Sequence, residues 1–262
     1  MIGIDLKNKT ALVCGSTAGI GKAIAENMAR AGANIILCAR NEEKLKKQIK
    51  ILEKLGEGVH HYVVANFEDN VSVSAAAILA ADQYKPNILV NNTGGPPPGK
   101  AHEANSIQYV EAFKLHLINN HILATALIPT MKKQKWGRII NIISTSVKVP
   151  LDNLGVSNTI RGAVGNWSKT MANELAQFGI TVNNILPGAT ATERLTAIIE
   201  NKSIKANVST KEIEQEMLEE IPAGRFGLPD EVGTTACFLA SDLAAYINGT
   251  NVVVDGGRTP VL

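Results

Sequence analysis

Two features of the chain have residue types and spacing suited to holding a nucleotide. The run Gly15-Ser16-Thr17-Ala18-Gly19-Ile20-Gly21 follows the apolar segment TALVC (10–14) and leads straight into a stretch of helical periodicity. Glycines at such a turn let the backbone approach a pyrophosphate, whose charge is stabilised by the N-terminus of the next helix. Any strand-to-helix turn can use a glycine cluster; its position after the first strand is what gives this one meaning. The second feature is Ala39-Arg40, at the end of the second apolar run, ANIILC (33–38). Dinucleotide-binding sheets read the adenosine ribose at this point. A carboxylate would accept from a free 2′-hydroxyl and select NAD, whereas Arg40 suits the 2′-phosphate of NADP through charge-assisted hydrogen bonds. NADP (NADPH) is therefore the expected cofactor and NAD the less suited one. The other reading of Arg40 is a solvent-exposed arginine at a helix start.

These residues need a scaffold, and the pattern supplies one. Further short apolar runs follow at HHYVVA (60–65), NILVN (87–91), RIINII (138–143), TVNNIL (181–186) and NVVVD (251–255). Runs apolar on both faces are what a parallel sheet covered by helices on each side requires. Helical stretches lie between them: 21–32, closed by Gly32; 105–132, ending before KKQKWG; and 155–177. The alternation predicts an α/β fold, a single Rossmann-like doubly wound parallel sheet flanked by helices and spanning 1–262. The segment 193–220 breaks the rhythm: it is polar, helical and strandless. It reads as an excursion over the carboxyl edge of the sheet, a substrate lid.

Composition excludes several classes. With Lys+Arg 26 against Asp+Glu 24 and a net charge of +2, no basic stripe for nucleic acid is expected. The lysines of 41–54 alternate with acids and Ile/Leu, as on a solvated amphipathic helix. Cys14, Cys38 and Cys237 are scattered within apolar runs, so neither a metal site nor a disulfide framework is expected. The first ten residues lack the layout of a signal peptide, and no apolar run approaches the ~18 residues of a membrane span. A soluble, cytoplasmic protein without membrane partners is expected.

Taken with the glycine turn, further motifs resemble those of the short-chain dehydrogenases/reductases over essentially the whole chain. Asn91-Asn92-Thr93-Gly94 is similar to the family's NNAG. Pro187-Gly188 followed by Thr192 is similar to its PG-x-x-x-T, whose Thr bonds the nicotinamide amide or the phosphates. IPAGRFGLPDEV…FLASD…YINGTNVVVDGG (221–257) resembles its closing signature, particularly that of the 3-oxoacyl-[acyl-carrier-protein] reductase branch. The resemblance implies hydride transfer between NAD(P) and a carbonyl or alcohol. It places Gly15, Ser16, Thr17, Gly19, Ile20, Gly21, Arg40, Asn66 (where the family usually has an Asp beside the adenine), Asn92, Thr93, Gly94, Pro187, Gly188 and Thr192 at the cofactor.

The family's catalytic set is a Ser, a Tyr, a Lys four residues later, and an Asn supporting a water relay. Ser144 matches the Ser. Thirteen residues on stands Ser157, and four further Arg161, where Tyr and Lys are expected; no tyrosine lies between Tyr109 and Tyr246. Counting back from Pro129 puts His116 at the relay position, with Asn119 and Asn120 a turn away. A serine hydroxyl is a far weaker acid than a phenol, whose pKa is ≈ 10. Arg161 is always charged, yet can fork onto ribose hydroxyls or a developing alkoxide. His116 is the nearby group whose ordinary pKa lies near working pH; it also reads as a plain helix residue.

Three readings follow. The first is an NADP-dependent oxidoreductase with an atypical catalytic set, acting on a small carbonyl or acyl substrate such as a 3-oxoacyl thioester. The second is a catalytically impaired NADP-binding sensor or scaffold. The third is a different reaction, as in the halohydrin dehalogenases; the intact glycine turn and the missing Tyr both argue against it. The Gly94-Gly95-Pro96-Pro97-Pro98-Gly99 loop is stiffened by its prolines and either walls the substrate pocket or merely connects two elements. A homotetramer is expected, because 105–132 and 155–177 resemble helices that the family pairs between subunits. Gly162, Ala163, Gly165 and Ala172 would allow a partner close approach.

Overall fold

The seven apolar runs form seven strands of one parallel sheet in the computed structural model of the chain, which describes residues 3–261. The strands are β1 (Thr10–Cys14), β2 (Asn34–Ala39), β3 (His60–Val64), β4 (Ile88–Asn91), β5 (Gly137–Ile142), β6 (Ile180–Pro187) and β7 (Asn251–Val254). Their order is β3-β2-β1-β4-β5-β6-β7, every neighbouring pair being parallel. Chain direction across the sheet reverses beside β1, so the crevice at the carboxyl ends of β1 and β4 is the switch point where such sheets bind ligands.

The helices are α1 (Gly19–Arg30), α2 (Glu42–Leu52), α3 (Asn70–Tyr84), α4 (Ser106–Phe113), α5 (Asn119–Gln134), α6 (Gly155–Leu175), α7 (Glu193–Ala206), α8 (Thr210–Glu219) and α9 (Pro229–Ala240). One buried cluster joins the sheet to α1, α2 and α9 through Ile24, Met28, Leu45 and Val232; a second joins the other face to α3, α5 and α6 through Ala77, Leu123, Leu127 and Met171. Segment 193–220 folds as α7 and α8 around its own small cluster of Leu195, Ile199, Ile213 and Met217.

Two expectations are corrected. The stretch 105–132 is not one regular helix: α4 gives way at Lys114–Ile118 to a π-turn that carries His116, and α5 then runs on to Gln134. The small residues of α6 do not form one open stripe. Ala172 is fully buried, and a Cβ on Gly165 would meet Val147 at 3.1 Å; of the two glycines, Gly162 faces open space.

A ladder of asparagines crosses the sheet. Asn91, Asn141, Asn184 and Asn251 lie in register on β4 to β7. Asn91 donates to Asn141 (2.8 Å), Asn141 to Asn184 (3.0 Å) and to Ser168 of α6 (3.2 Å), and Asn184 to Asn251 (2.8 Å). Each amide has a partner in the ladder, although the buried Asn91 Oδ1 has none, and the bonds tie the four strands together near the carboxyl edge of the sheet.

Candidate active site

The glycine turn is built for close approach. Gly15 and Gly19 take left-handed backbone conformations (φ 58° and 51°), which glycine adopts without penalty. A Cβ on Gly21 would lie 2.2 Å from the Gly15 carbonyl oxygen, so only glycine permits this packing of helix against turn. Asn92 braces the turn from β4, its amide donating to the carbonyls of Cys14 (3.2 Å) and Gly15 (3.4 Å). Ser16 is buried, and its hydroxyl accepts from the Cys38 N–H at 3.0 Å, leaving its backbone as the part able to meet a ligand. Thr17 and Ile20 are half-buried beside it. Asn41, Asp69, Thr192 and Ser209 cap their helices with side-chain oxygens, but Ala18 cannot cap α1. The first N–H groups of α1 are thus left for an outside acceptor, as a pyrophosphate site requires.

Arg40 stands at the end of β2, its side chain 76% exposed and 3.8 Å from Glu68. An exposed pair of this kind contributes little to stability, so Arg40 can turn to a ligand at small cost. Asn66 is exposed at the end of β3 and accepts from the Glu68 N–H at 3.2 Å. Across the cleft, Gly188 presses on Asp255, where a Cβ would meet the Asp255 Cβ at 2.7 Å. The loop from Pro187 and Gly188 brings Thr192 against the glycine turn: a Cβ on Gly19 would lie 3.2 Å from the Thr192 methyl. Thr192 also caps α7, accepting from the Leu195 N–H at 3.3 Å and donating to the Thr190 carbonyl at 3.2 Å.

Beyond this crevice lie the remaining candidates. Ser144 stands two residues beyond β5, where it caps the turn 145–147, and accepts from the Ser146 N–H at 3.1 Å, which leaves its own O–H free to donate. Ser157 is half-buried in the first turn of α6, the helix packed against the turn 145–147 that follows Ser144. Arg161, one turn further, is 8% exposed; its Nη1 donates to the Ile142 carbonyl at 3.1 Å and its Nε has no partner. His116 is 1% exposed and shares a 2.9 Å hydrogen bond between its Nδ1 and the Thr93 hydroxyl, while its Nε2 is unpartnered.

The electrostatics correct the expectation that His116 titrates near working pH. Burial first, then the charges of Arg161 and Arg194, push its pKa down to about 2, so it stays a neutral imidazole. Burial, aided by Arg194, lowers Arg161 to about 10, still charged at neutral pH. Asn119 is no substitute in the cleft: its amide donates to the Phe67 carbonyl (2.7 Å) and accepts from Asn70.

Arg194 went unnoticed in the sequence. It opens α7 two residues after Thr192, within a segment lacking any recognisable motif; its only signal was that spacing. Its guanidinium reaches back over the Gly94–Gly95 loop, a Cβ on Gly95 falling 2.5 Å from Nη2. The orphaned Arg161 Nε and His116 Nε2, the uncapped α1 and the glycine cradle fit a dinucleotide laid along this edge. Among the described residues, no group of His, Cys, Asp and Glu could hold a metal ion, and no helix is long and apolar enough to cross a membrane.

A family model described as Enoyl-(Acyl carrier protein) reductase matches residues 15–259. The chain belongs to the short-chain dehydrogenase/reductase family. It is 35% identical over 259 residues to the 3-oxoacyl-[acyl-carrier-protein] reductase FabG of Aquifex aeolicus, covering 97% of this chain and 98% of that protein. The D-beta-hydroxybutyrate dehydrogenase of Rhizobium meliloti is 32% identical, covering 96% and 98%. Among solved structures, L-sorbose reductase from Gluconobacter frateurii, complexed with NADPH and L-sorbose, superposes with a TM-score of 0.93 at 29% identity over the whole of both chains. As a short-chain dehydrogenase/reductase, the chain has a glycine turn after its first strand, and two arginines lie near a buried, neutral His116.

Proposed function

We propose that the chain is an NADP-dependent oxidoreductase that moves a hydride between nicotinamide and a carbonyl or alcohol, with an atypical catalytic set. The observation that carries this reading is that an uncapped glycine turn after β1 and a Ser144 hydroxyl free to donate after β5 stand on the same carboxyl edge of one parallel sheet. Gly15, Thr17, Gly19, Ile20, Gly21, the Ser16 backbone, Asn92, Thr93, Gly94, Pro187, Gly188 and Thr192 would line the dinucleotide. Arg40 would take its 2′-phosphate and Asn66 would lie by the adenine. Bound there, NADPH supplies the hydride.

The chain's own residues supply the rest. Ser144 and Ser157 donate to the carbonyl oxygen, and Arg161 faces the ribose and the negative charge that develops on that oxygen. No side chain in this set is a competent acid, because His116 is neutral and aliphatic hydroxyls are weak; the proton comes from water. Losing a positioned general acid typically costs ~10²–10⁴ in rate, so turnover is slow but not abolished. Helices α7 and α8 form the lid, and a 3-oxoacyl thioester is one acyl substrate the branch resemblance offers. The protein works in the cytoplasm as a homotetramer. The runner-up, a sensor or scaffold, draws on two observations: Arg161 is tied to a backbone carbonyl, and His116 has no proton to give.

NADPH titration by nicotinamide fluorescence, then a carbonyl panel followed at the nicotinamide absorbance, tests the reading. Arg40→Asp should weaken NADPH by about tenfold and spare NADH, through loss of one charge-assisted hydrogen bond. Ser144→Ala should lower turnover by roughly 10²–10³, the usual loss for one oxyanion donor. Tight NADPH binding with no reduction of any carbonyl, and no effect of Ser144→Ala, would put the sensor in its place.

A further inference from the structure

Arg161 and Arg194 share the cleft without an acid between them. None of the ion pairs among the described residues involves either one. Arg161 is 8% exposed, with one bond to a backbone carbonyl and an unpartnered Nε. Arg194 is exposed as a residue, but its guanidinium lies on the Gly94–Gly95 backbone, and burial there lowers its pKa. Its charge is felt at Arg161 and at His116, and no carboxylate offsets it at either.

Proteins pair desolvated charges, because an unpaired one forfeits its hydration without return. The missing anion must therefore come with a ligand. The cofactor's phosphates have their own donors: the glycine turn and first N–H groups of α1 for the pyrophosphate, and Arg40 for the 2′-phosphate. Ribose hydroxyls are neutral and can satisfy the Arg161 donors without balancing the charge. The loop gives independent support. Neither Gly94 nor Gly95 has a positive φ, so the backbone conformation does not require glycine. Clearance does: a Cβ on Gly95 would lie 2.5 Å from Arg194 Nη2 and 3.2 Å from its Cζ. The stiff Gly-Gly-Pro-Pro-Pro-Gly segment is thus a platform that holds a guanidinium over the cleft.

We propose that Arg194, with Arg161 beside it, binds a carboxylate on the substrate, so that this site takes oxo acids and their hydroxy acids in preference to neutral ketones, esters or thioesters. The inference rests on the carbonyl-substrate reading above and narrows its substrate class. Arg194 is then the specificity-determining residue, and bidentate pairing with a carboxylate is the chemistry that a guanidinium recognises.

Dead-end complexes test it without turnover. The full chain saturated with NADPH is titrated calorimetrically with short 2-, 3- and 4-hydroxy acids, their methyl esters, and glycerol phosphate; both partners are reduced, so no hydride moves. The acid and ester arms are repeated without NADPH, which separates this proposal from a failure of cofactor binding. At least one acid should bind about tenfold or more tightly than its ester, the value of one charge-assisted bond. Arg194→Gln should erase that preference while leaving NADPH affinity within about twofold, Arg194→Lys should keep part of it, and Gly95→Val should mimic the loss. Equal binding of acids and esters overturns the proposal. So does an Arg194→Gln variant that loses NADPH affinity and keeps the acid preference, since the arginine would then serve a cofactor phosphate. Tighter binding of glycerol phosphate than of every acid overturns the assignment to a carboxylate.

Discussion

His116 shows how the surroundings of a residue can reverse the chemistry its type suggests. Its ordinary pKa of 6.5 is pushed down to about 2 by burial and by two arginines. The unfolded chain therefore binds a proton below pH 6.5 that the folded chain refuses. Stability from this group is complete above that pH and is lost as pH falls from 6.5 toward 2, by about 1.4 kcal/mol per unit once the unfolded imidazole is charged. His60, also lowered by burial, adds a loss of the same sign. His116→Asn should flatten the fall in urea-unfolding free energy between pH 7 and 5, leaving the His60 contribution; an unchanged slope would mean that His116 is protonated in the fold. The position of His116 was legible in the sequence but this state was not, because the charges that set it, Arg161 and Arg194, stand 45 and 78 positions away in the chain. Arg194 was illegible for the same reason: its partner is a pair of glycines about a hundred residues earlier, and nothing in the local pattern ties them together.

At the scale of elements, the strands were legible in sequence and the interruptions were not. A strand buried on both faces reads as a near-continuous apolar run, so TALVC and ANIILC could hardly be anything else. The π-turn at Lys114–Ile118 leaves apolar periodicity nearly intact, which is why 105–132 read as one helix. The asparagine ladder was hidden because Asn141, Asn184 and Asn251 lie on different strands, 43 and 67 positions apart in the chain. Register alone reveals them as a chain of bonds. Asn141 is its hub, accepting from Asn91 and donating to Asn184 and Ser168. Asn141→Ala should therefore lower the urea midpoint, at about 1–3 kcal/mol for each buried partner left unpaired. Asn251→Ala, at the end of the ladder on a half-buried edge strand, should cost less. Equal losses would argue that the four amides act as separate residues rather than as a network.

For the whole molecule, the open question is which surface the proposed tetramer uses. The sequence pointed to small residues on α6, but burial of Ala172 and the inward turn of Gly165 remove most of that stripe. What replaces it is a pair of elements. Helix α4 packs on α6 and presents Ile107 (63% exposed), Val110 (51%) and Phe113 (39%) to solvent, three apolar side chains at helical spacing. Gly162 on α6 faces open space, so a neighbouring backbone could come close there. Apolar side chains clustered on one helix face are costly to leave wet and mark an interaction surface. The same α4 leads directly into the π-turn that positions His116, so an interface here would also brace the catalytic edge. Ile107→Asp with Val110→Asp should shift the sedimentation of the protein at micromolar concentration from tetramer to a smaller species. NADPH affinity should change less than turnover, since the glycine turn lies on other elements. A wild type that sediments as a monomer would remove the assembly altogether, and a double variant that stays tetrameric would move the interface away from α4.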